Sequence, residues 1–263
     1  MPPTLRRADR ITAILDRLAV KQTLRATDLA REFGVSPATL RRDLQLLEDQ
    51  KLLARTHGGA RAQDVAYELP VRYRSGRRRD DKLRIAALAA TLLPRGRLTM
   101  GLTGGTTTSA LARAVAGRVD LTVVTNALNI ATELAVRPRV KVIVTGGVTR
   151  PQSYELVGPL ADRTLSGLHL EVAVVGVDGI DSVAGLTTHD EVEAHTNASM
   201  VDRAARVIVV ADGSKVGRVL LARICVIDAV SELVTDPTAD PEALDRLRAC
   251  GVTVHVAGKP ADV

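Results

Sequence analysis

The chain has 263 residues, and its 36 basic and 30 acidic side chains give a formal net charge of +6. It contains one phenylalanine, three tyrosines and no tryptophan, which argues against binding single-stranded nucleic acid by base stacking. Residues 1–82 carry 18 basic and 11 acidic side chains, whereas residues 83–263 carry 18 and 19. The positive excess therefore lies at one end, which points to contact with a nucleic acid or an anionic membrane surface. A merely basic surface is the alternative.

Cysteine content and hydropathy exclude further classes. Cys225 and Cys250 are too few for a disulfide framework or a zinc site. Both lie in or beside apolar runs, so we expect buried free thiols. We also expect no metal and no other cofactor. No apolar run reaches the ~18 residues of a membrane span, and residues 1–7 lack the apolar stretch of a secretory signal. We expect a cytoplasmic protein with no membrane partner.

The first 61 residues predict three helices and a hairpin. The first helix rests on apolar residues at helical spacing, namely Ile11, Ile14, Leu15 and Leu18. A second helix is predicted to start after Thr27 and to end at Gly34. A third is predicted from Ser36 and Pro37 to about residue 50. Residues 51–61 predict a short hairpin with Gly58 and Gly59 near its turn.

The third helix has the pattern of a DNA recognition helix. Leu40, Leu44 and Leu47 form one apolar stripe, so the opposite face carries Arg41 and Arg42. Two helices joined by a short glycine turn form a helix-turn-helix, and the hairpin would be the wing of a winged helix. Arginine can bind guanine bidentately or bind a phosphate. We predict DNA contacts from Ser36, Pro37, Ala38, Thr39, Arg41, Arg42, Gln45, Lys51, Arg55 and His57. The alternatives are a solvated helix whose arginines serve solubility, and an ordinary turn role for His57.

Residues 62–82 are predicted to be a linker, and a helix is predicted over residues 83–93. Strands are then predicted at Arg97–Leu102, Leu121–Thr125, Val140–Thr145, Glu171–Val177, Arg206–Ala211 and Val252–Ala257. Helices are predicted at Thr108–Ala116, Ala127–Val136, Leu160–Leu168, Val192–Ala204 and Pro241–Ala249. The segment Ala222–Val234 has no assignment. Apolar strands that alternate with helices predict an α/β fold with a mostly parallel sheet covered on both faces.

Polar and glycine-rich turns follow several of these strands. In parallel sheets ligands bind beyond the carboxyl ends of strands, where glycine admits close approach and a helix N-terminus favours an anion. There is neither a phosphate-binding Gly-Lys-Ser/Thr motif nor a dinucleotide fingerprint. The predicted effector residues are Thr103, Gly104, Gly105, Thr106, Thr107, Thr125, Asn126, Gly146, Gly147, Asp178 and Lys215. The alternatives are glycine turns that any α/β fold needs, a surface role for Lys215, and turn roles for Asp178 and Asp181.

A family resemblance rests on the run Val35-Ser36-Pro37-Ala38-Thr39-Leu40-Arg41-Arg42-Asp43-Leu44, followed by Leu47-Glu48 and by Thr56-His57-Gly58-Gly59-Ala60. The chain resembles the DeoR/GlpR family of bacterial transcriptional regulators over nearly its whole length. The resemblance implies a winged helix-turn-helix in residues 1–61 and, after the linker, an effector-binding sensor domain in residues 83–263. Such sensor domains are Rossmann-like and share the fold of ribose-5-phosphate isomerase and CoA transferases, and they typically respond to phosphorylated sugars.

Particular positions match the family or depart from it. The family's Asp-Ser-Gly-Thr-Thr turn corresponds to Thr103–Thr107 here, so its aspartate is missing at position 103. The Thr-Asn strand end, the Gly-Gly turn and the Asp-x-Ser-Lys stretch are present at residues 125–126, 146–147 and 212–215. Asn197 stands where a lysine is common. Lys82 and Arg72 match positions that are commonly basic in the family. Two roles are open for them: coupling of the two domains, or membership of a solvated run of charges.

The resulting expectation is a DNA-binding regulator, a repressor of carbohydrate-metabolism genes, and not an enzyme. Its partners would be double-stranded operator DNA, a phosphorylated sugar or related metabolite, and further copies of the chain in a homodimer or homotetramer. The alternative is a sugar-phosphate isomerase with a DNA-binding appendage, because residues 178–181 resemble that enzyme's Asp-Gly-Ala-Asp turn. Ser182 stands where the isomerase has its catalytic glutamate, which removes the general base. A nicotinamide-binding redox sensor would need the missing dinucleotide fingerprint.

Overall fold

The structure, a computed structural model, describes residues 5–50, 52–62, 68, 70–74 and 76–258. The chain divides into two compact units, residues 1–77 and residues 78–263. The division falls inside the segment 62–82 that the sequence predicts to be a linker. Lys51 lies outside the described residues, so its place in the wing stays a prediction.

The first unit combines helices with a three-stranded antiparallel sheet of order β1-β3-β2. Its elements are α1 (Arg7–Lys21), β1 (Thr23–Arg25), α2 (Ala26–Glu32), α3 (Pro37–Asp49), β2 (Ala54–Thr56), β3 (Gly59–Arg61) and α4 (Val71–Arg74). The predicted hairpin is confirmed as β2 and β3, and it gains β1 as a third strand. Three residues are too few for an alternating pattern to predict a strand, so no sequence pattern predicts β1.

Apolar side chains from α1, α2, α3 and the hairpin segment form the core of this unit. The most deeply buried of them include Ile14, Leu15, Leu18, Leu40, Leu44, Leu47 and Leu53. The predicted start of α2 after Thr27 is wrong, because the helix already begins at Ala26. The Ala26 N–H donates to the carbonyl of Gly58 at 2.8 Å, so the hairpin turn caps this helix. Gly34 follows α2 with φ of +62°, a left-handed conformation that glycine adopts without strain.

The second unit alternates strands and helices as predicted. Its elements are α5 (Arg79–Leu92), β4 (Leu98–Leu102), α6 (Thr106–Val115), β5 (Leu121–Thr125), α7 (Leu128–Ala135), β6 (Val140–Val144), β7 (Val148–Arg150), β8 (Glu155–Val157), α8 (Pro159–Ser166), β9 (Val172–Gly176), β10 (Gly179–Asp181), β11 (Gly185–Thr188), α9 (Glu191–Val201), β12 (Val207–Val210), β13 (Ala222–Cys225), β14 (Glu232–Thr235), α10 (Pro241–Ala249) and β15 (Thr253–Val256). Seven of these strands form one parallel sheet of order β15-β14-β12-β9-β4-β5-β6.

Both faces of the parallel sheet are covered, which confirms the predicted layer architecture. One face packs against α8, α9 and α10 through residues that include Leu165, Met200 and Leu244. The other packs against α5, α6 and α7 through residues that include Ile85, Leu111 and Ile130. Since the central strands β4, β5, β9 and β12 are buried on both sides, their sequences are almost wholly apolar.

Several details differ from the prediction. Helix α5 begins at Arg79, four residues before the predicted start, and Asp80 and Asp81 favour its first turn. The unassigned segment Ala222–Val234 contains β13, a short 3₁₀ turn and most of β14. Strands β7 and β8 form a separate hairpin, and β10, β11 and β13 form a small antiparallel sheet.

The expectation of two buried thiols is half wrong. Cys225 is partly buried, and burial raises the pKa of its thiol to about 11. Cys250 is exposed because it directly follows the end of α10. Within the described residues, no helix has both the length and the apolar character that crossing a membrane requires.

Candidate DNA-binding surface and effector site

Helix α3 has the two faces that the sequence predicts. Leu40, Leu44 and Leu47 are at most 2% exposed and pack into the core of the first unit. The opposite face is exposed and consists of Ala38, Arg41, Arg42 and Gln45. The helix therefore presents two guanidinium groups on its solvent side.

Charged side chains on α3 fall into two groups. Within the described part of the chain, neither Arg41 nor Arg42 has an ion pair or a side-chain hydrogen bond. Asp43 is 1% exposed, and its carboxylate accepts from Arg10 Nε at 2.6 Å and from Arg7 Nε at 3.3 Å. Asp43 thus anchors α3 to α1, whereas the two arginines are available to a partner.

The start of α3 is held by a hydroxyl cap. Ser36 Oγ accepts the backbone N–H of Thr39 at 3.1 Å and lies 2.9 Å from the Thr39 hydroxyl. Pro37 occupies the first turn, where no N–H is needed. Ser36 and Pro37 are exposed and Thr39 is half-buried. Because Pro37 has no N–H and the Thr39 N–H is bonded to Ser36, it is the Ala38 N–H that this turn leaves to a partner.

The predicted wing residues lie on and beside the β2–β3 turn. His57 is exposed in that turn. Arg55 is hydrogen-bonded to Gln45 Oε1 on α3, and its backbone N–H donates to Glu48 Oε1 at 3.0 Å. Gln45 in turn donates to Asp49 Oδ1 at 2.9 Å. Two predicted DNA contacts, Gln45 and Arg55, are therefore bonded to each other and join the wing to the recognition helix.

The predicted effector residues lie at the carboxyl edge of the parallel sheet. They follow β4, β5, β6, β9 and β12, which are neighbours in the sheet. Some of their hydroxyls serve the fold. Thr103 Oγ1 accepts the Gly176 N–H at 2.9 Å, and Thr125 Oγ1 donates to the Leu102 carbonyl at 2.7 Å. Both threonines are fully buried and join neighbouring strand ends.

Two of the predicted glycines, Gly104 and Gly147, fit closely into this edge. A Cβ on Gly104 would lie 2.5 Å from Glu155 Oε1, and a Cβ on Gly147 would lie 2.8 Å from the Val157 carbonyl. Gly105, Gly146 and Gly147 have φ values of +135°, +74° and +123°. Gly105 leads into α6, whose first turn carries Thr106, half-buried, and Thr107, buried.

The two charged effector candidates form an ion pair. Lys215 Nζ lies 2.9 Å from Asp178 Oδ1, and the Thr188 hydroxyl lies 3.4 Å from the other oxygen of that carboxylate. Asp181 has a different role. Its carboxylate accepts the backbone N–H groups of Ala184 and Val183, and these bonds lower its pKa. Asp181 thus stabilises a turn, which is the alternative role that the sequence analysis gives for it.

Sequence reasoning missed a buried polar cluster at this edge, of which Glu155 is the centre. Its carboxylate accepts the Gly104 N–H at 2.5 Å and an Asn197 N–H at 3.3 Å. Burial, and after it the negative charge of Glu193, raise the pKa of Glu155 well above its usual range. One glutamate between Tyr154 and an apolar run gave no signal of this burial.

A groove that the sequence did not suggest lies at the opposite, amino-terminal edge of β4, β5 and β6. Its volume is about 460 Å³, and its charged lining is Arg97, Asp120, Arg139 and Lys141. None of the predicted effector residues lines this groove.

An arginine-bearing recognition helix in a winged helix, followed by an α/β unit with a polar carboxyl edge, is the architecture of a transcriptional regulator with a sensor domain. The family model for the DeoR-like helix-turn-helix domain matches residues 10–65, and that for the DeoR C terminal sensor domain matches residues 77–237. The chain belongs to the DeoR family of transcriptional regulators.

Named relatives span almost all of the chain. The putative aga operon transcriptional repressor of Escherichia coli O157:H7 is 33% identical over 255 residues, which cover 96% of this chain and 94% of that protein. The glycerol-3-phosphate regulon repressor of Escherichia coli (strain K12) is 31% identical over 232 residues, which cover 88% of this chain and 92% of that protein. Both are named as repressors.

Solved structures are more distant. The full-length sorbitol operon regulator SorC from Klebsiella pneumoniae has a TM-score of 0.39 and 15% identity, covering 91% of this chain and 99% of that one. Ribose 5-phosphate isomerase A from Methanocaldococcus jannaschii has a TM-score of 0.39 and 17% identity, covering 54% and 55%.

Proposed function

We propose that this protein represses carbohydrate-metabolism genes and that a phosphorylated sugar or related metabolite controls its binding to operator DNA. The observation that carries the proposal is the α3 face, where Arg41 and Arg42 are exposed and have no ion-pair partner among the described residues. The names of the relatives support the gene class, since one of them represses a glycerol-3-phosphate regulon. Because operator DNA is the partner, we expect the protein to act in the cytoplasm.

For DNA, we assign base or phosphate contact to Arg41 and Arg42, which can bind guanine or phosphate oxygens. The first turn of α3, Ser36 to Thr39, would approach the DNA backbone through the Ala38 N–H and the Ser36 and Thr39 hydroxyls. The wing would contact phosphate through Lys51, Arg55 and His57. Gln45 and Arg55 would act as a pair, because they are hydrogen-bonded to each other. A homodimer or homotetramer would place two recognition helices about 34–36 Å apart, one turn of the duplex.

For the effector, we assign the phosphate to the first turn of α6, where Gly105, Thr106 and Thr107 offer backbone N–H groups and hydroxyls. Lys215 would add a positive charge. Asn126 and Asp178 would bind the polar groups of the carbon chain. Thr103, Gly104, Thr125, Gly146 and Gly147 would shape the site. The two threonine hydroxyls and the close packing of Gly104 and Gly147 hold the strand ends, and Gly146 has a left-handed conformation with φ of +74°. No other cofactor is required.

The DNA-binding half of the proposal is tested by gel shift with the protein's own promoter. We expect Arg41→Ala and Arg42→Ala each to weaken specific binding by ~1–3 kcal/mol where the arginine binds guanine. Arg163→Ala is the matched control, because Arg163 is an exposed arginine on α8. Equal binding by all three variants and the unmodified protein would refute the assignment of α3.

The effector half is tested by thermal shift with glycerol 3-phosphate, glucose 6-phosphate and ribose 5-phosphate, each against its unphosphorylated counterpart. A specific ligand at 100 times its Kd stabilises a protein by ~2.7 kcal/mol. We expect one of the phosphates to raise the Tm and to weaken promoter binding. Turnover of ribose 5-phosphate in an isomerase assay would instead favour the enzyme alternative.

A further inference from the structure

Three buried side chains form a continuous hydrogen-bonded chain at the carboxyl edge of the sheet. The Gly104 N–H donates to Glu155 Oε1 at 2.5 Å. Asn197 Nδ2 donates to Glu155 Oε2 at 3.3 Å, and Asn126 Nδ2 donates to Asn197 Oδ1 at 3.0 Å. The three side chains come from β8, α9 and the end of β5, and all are at most 2% exposed. They link the turn after β4 to the turn after β5.

The chain ends on an unsatisfied atom. Asn126 Oδ1 is buried and has no hydrogen-bond partner among the residues that the structure describes, which is costly for an amide oxygen. The same heavy-atom positions also fit a second arrangement, in which both asparagine amides are rotated by half a turn. Asn197 Oδ1 then faces Glu155, Asn197 Nδ2 donates to Asn126 Oδ1, and Asn126 Nδ2 becomes the unsatisfied group.

The proton on Glu155 selects between the two arrangements. Glu155 Oε1 already accepts from Gly104, so an acidic proton resides on Oε2, where it can donate only if Asn197 turns its oxygen toward it. An ionised carboxylate requires the reverse, since it only accepts. The arrangement of both amides therefore follows the charge of one carboxyl group.

The surroundings of Glu155 favour the protonated form. Burial is the largest cause of its raised pKa, and the charge of Glu193 on α9 adds to it. The Gly104 and Asn197 hydrogen bonds and Arg150 on β7 oppose them. Arg150 is already paired with Asp190 and Glu193. From α8, the carboxylate of Asp162 faces α9 instead, where Thr196 donates to it at 2.8 Å.

We propose that Glu155, acting through Asn197, sets which polar atom of Asn126 faces a bound effector. With Glu155 protonated, Asn126 presents its NH₂ group and selects an acceptor, such as a phosphate or carbonyl oxygen. With Glu155 ionised, Asn126 presents its oxygen and selects a hydroxyl donor. Glu155 and Asn197 are positioning residues. The link to an effector rests on the proposed function, but the amide relay is a property of the ligand-free protein.

The relay is tested by NMR on the full chain without ligand, following the side-chain amides of Asn126 and Asn197 and the Glu155 carboxyl carbon against pH. We expect all three signals to move with one midpoint. In Glu155→Gln, the new NH₂ donates to Asn197 as the acid does, so the Asn126 signal should lose its pH-dependent shift. In Asn197→Leu, Glu155 should still titrate while Asn126 no longer follows. Glu191→Gln, an exposed change on α9, is the matched control and should leave the titration as it is.

Two results would overturn the relay: an Asn126 signal that moves unchanged in Glu155→Gln, or one that stays still while Glu155 titrates in the unmodified protein. If Glu155→Gln does not fold, Asn197→Leu decides by the same readout. Binding of glycerol 3-phosphate, glucose 6-phosphate and ribose 5-phosphate is measured separately on both sides of the midpoint. If none binds, the proposed effector class fails, and the amide titration alone still decides the relay.

Discussion

Two buried carboxyl groups show how different partners give one residue type different roles. Asp43 is buried against the Arg10 guanidinium, and the Arg10 side chain is only 6% exposed. The negative charge of Asp43 is therefore paired with a buried positive charge. Glu155 is buried among amide groups, and the charged groups that act on its pKa are Glu193 and the already paired Arg150. Asp43 therefore fastens two helices together, whereas Glu155 tends to keep its proton.

At this scale we predict that Asp43→Ala destabilises the first unit by about 3 kcal/mol or more, because it leaves a buried guanidinium without its counter-charge. Hydrogen exchange of the α3 amides measures the opening of this unit directly. Asp49→Ala, an exposed change near the end of the same helix, should alter stability by less than about 0.5 kcal/mol. Similar exchange rates in the two variants would show that the Arg10 pair does not anchor α3.

At the scale of elements, the turn after β4 is the most closely packed of the predicted effector turns. Gly104 contacts the Glu155 carboxyl group. The neighbouring Gly176 leaves room for the Gly104 carbonyl oxygen, because a Cβ at position 176 would lie 2.8 Å from that oxygen. Strands β4, β8 and β9 thus meet through two glycines and one carboxyl group. Any side chain at these positions has to push a strand end away.

We therefore predict that Gly104→Ala destabilises the second unit by ~1–3 kcal/mol, the usual effect of overpacking. Gly117→Ala is the matched control, since a Cβ there meets no atom within 4 Å and its φ is not left-handed. Urea unfolding followed by circular dichroism gives both midpoints. Equal midpoints would mean that Glu155 can move aside without cost.

The elements that sequence reasoning predicted well are those whose signal is local. Helix α3 carries its own cap at Ser36 and its own apolar period, and the central strands are apolar throughout. Strands β1, β7 and β10 have three residues each and are defined by their pairing with neighbouring strands. No local sequence pattern therefore predicts them.

The same distinction applies to the sites. The exposed face of α3 follows from helical period alone, so Arg41 and Arg42 could be placed from sequence. The ion pair of Asp178 and Lys215 and the cluster around Glu155 depend on contacts between residues far apart in the chain. Neither could be read from spacing, although both lie at the edge that strand order predicts.

At the scale of the whole molecule, charge is divided between the two ends of the chain. The first 82 residues have seven more basic than acidic side chains, and the remainder has one more acidic than basic. An electrostatic attraction to DNA should therefore arise from the winged helix and its following segment, while the sensor domain adds little.

Salt dependence of duplex binding measures this division. The slope of log K against log salt concentration reports the number of phosphates neutralised, at about 0.9 per contact. We expect the double change Arg41→Ala and Arg42→Ala to reduce the slope by ~2. Arg163→Ala with Arg203→Ala removes the same charge from exposed positions of the sensor domain and should leave the slope unchanged. Equal slopes in both double variants would place the DNA contact elsewhere.

The strand order of the parallel sheet has a kinetic consequence. Strand β4 pairs with β9, and residue 100 lies opposite residue 172. The centre of the sheet therefore cannot form until residue 172 has been synthesised. In the winged helix, by contrast, β1 pairs with β3 within the first 61 residues. Long-range parallel pairing folds slowly, and unpaired strand edges promote aggregation. During synthesis the winged helix should therefore form first, and a chain truncated between β6 and β9 should expose the edge of β4 and aggregate.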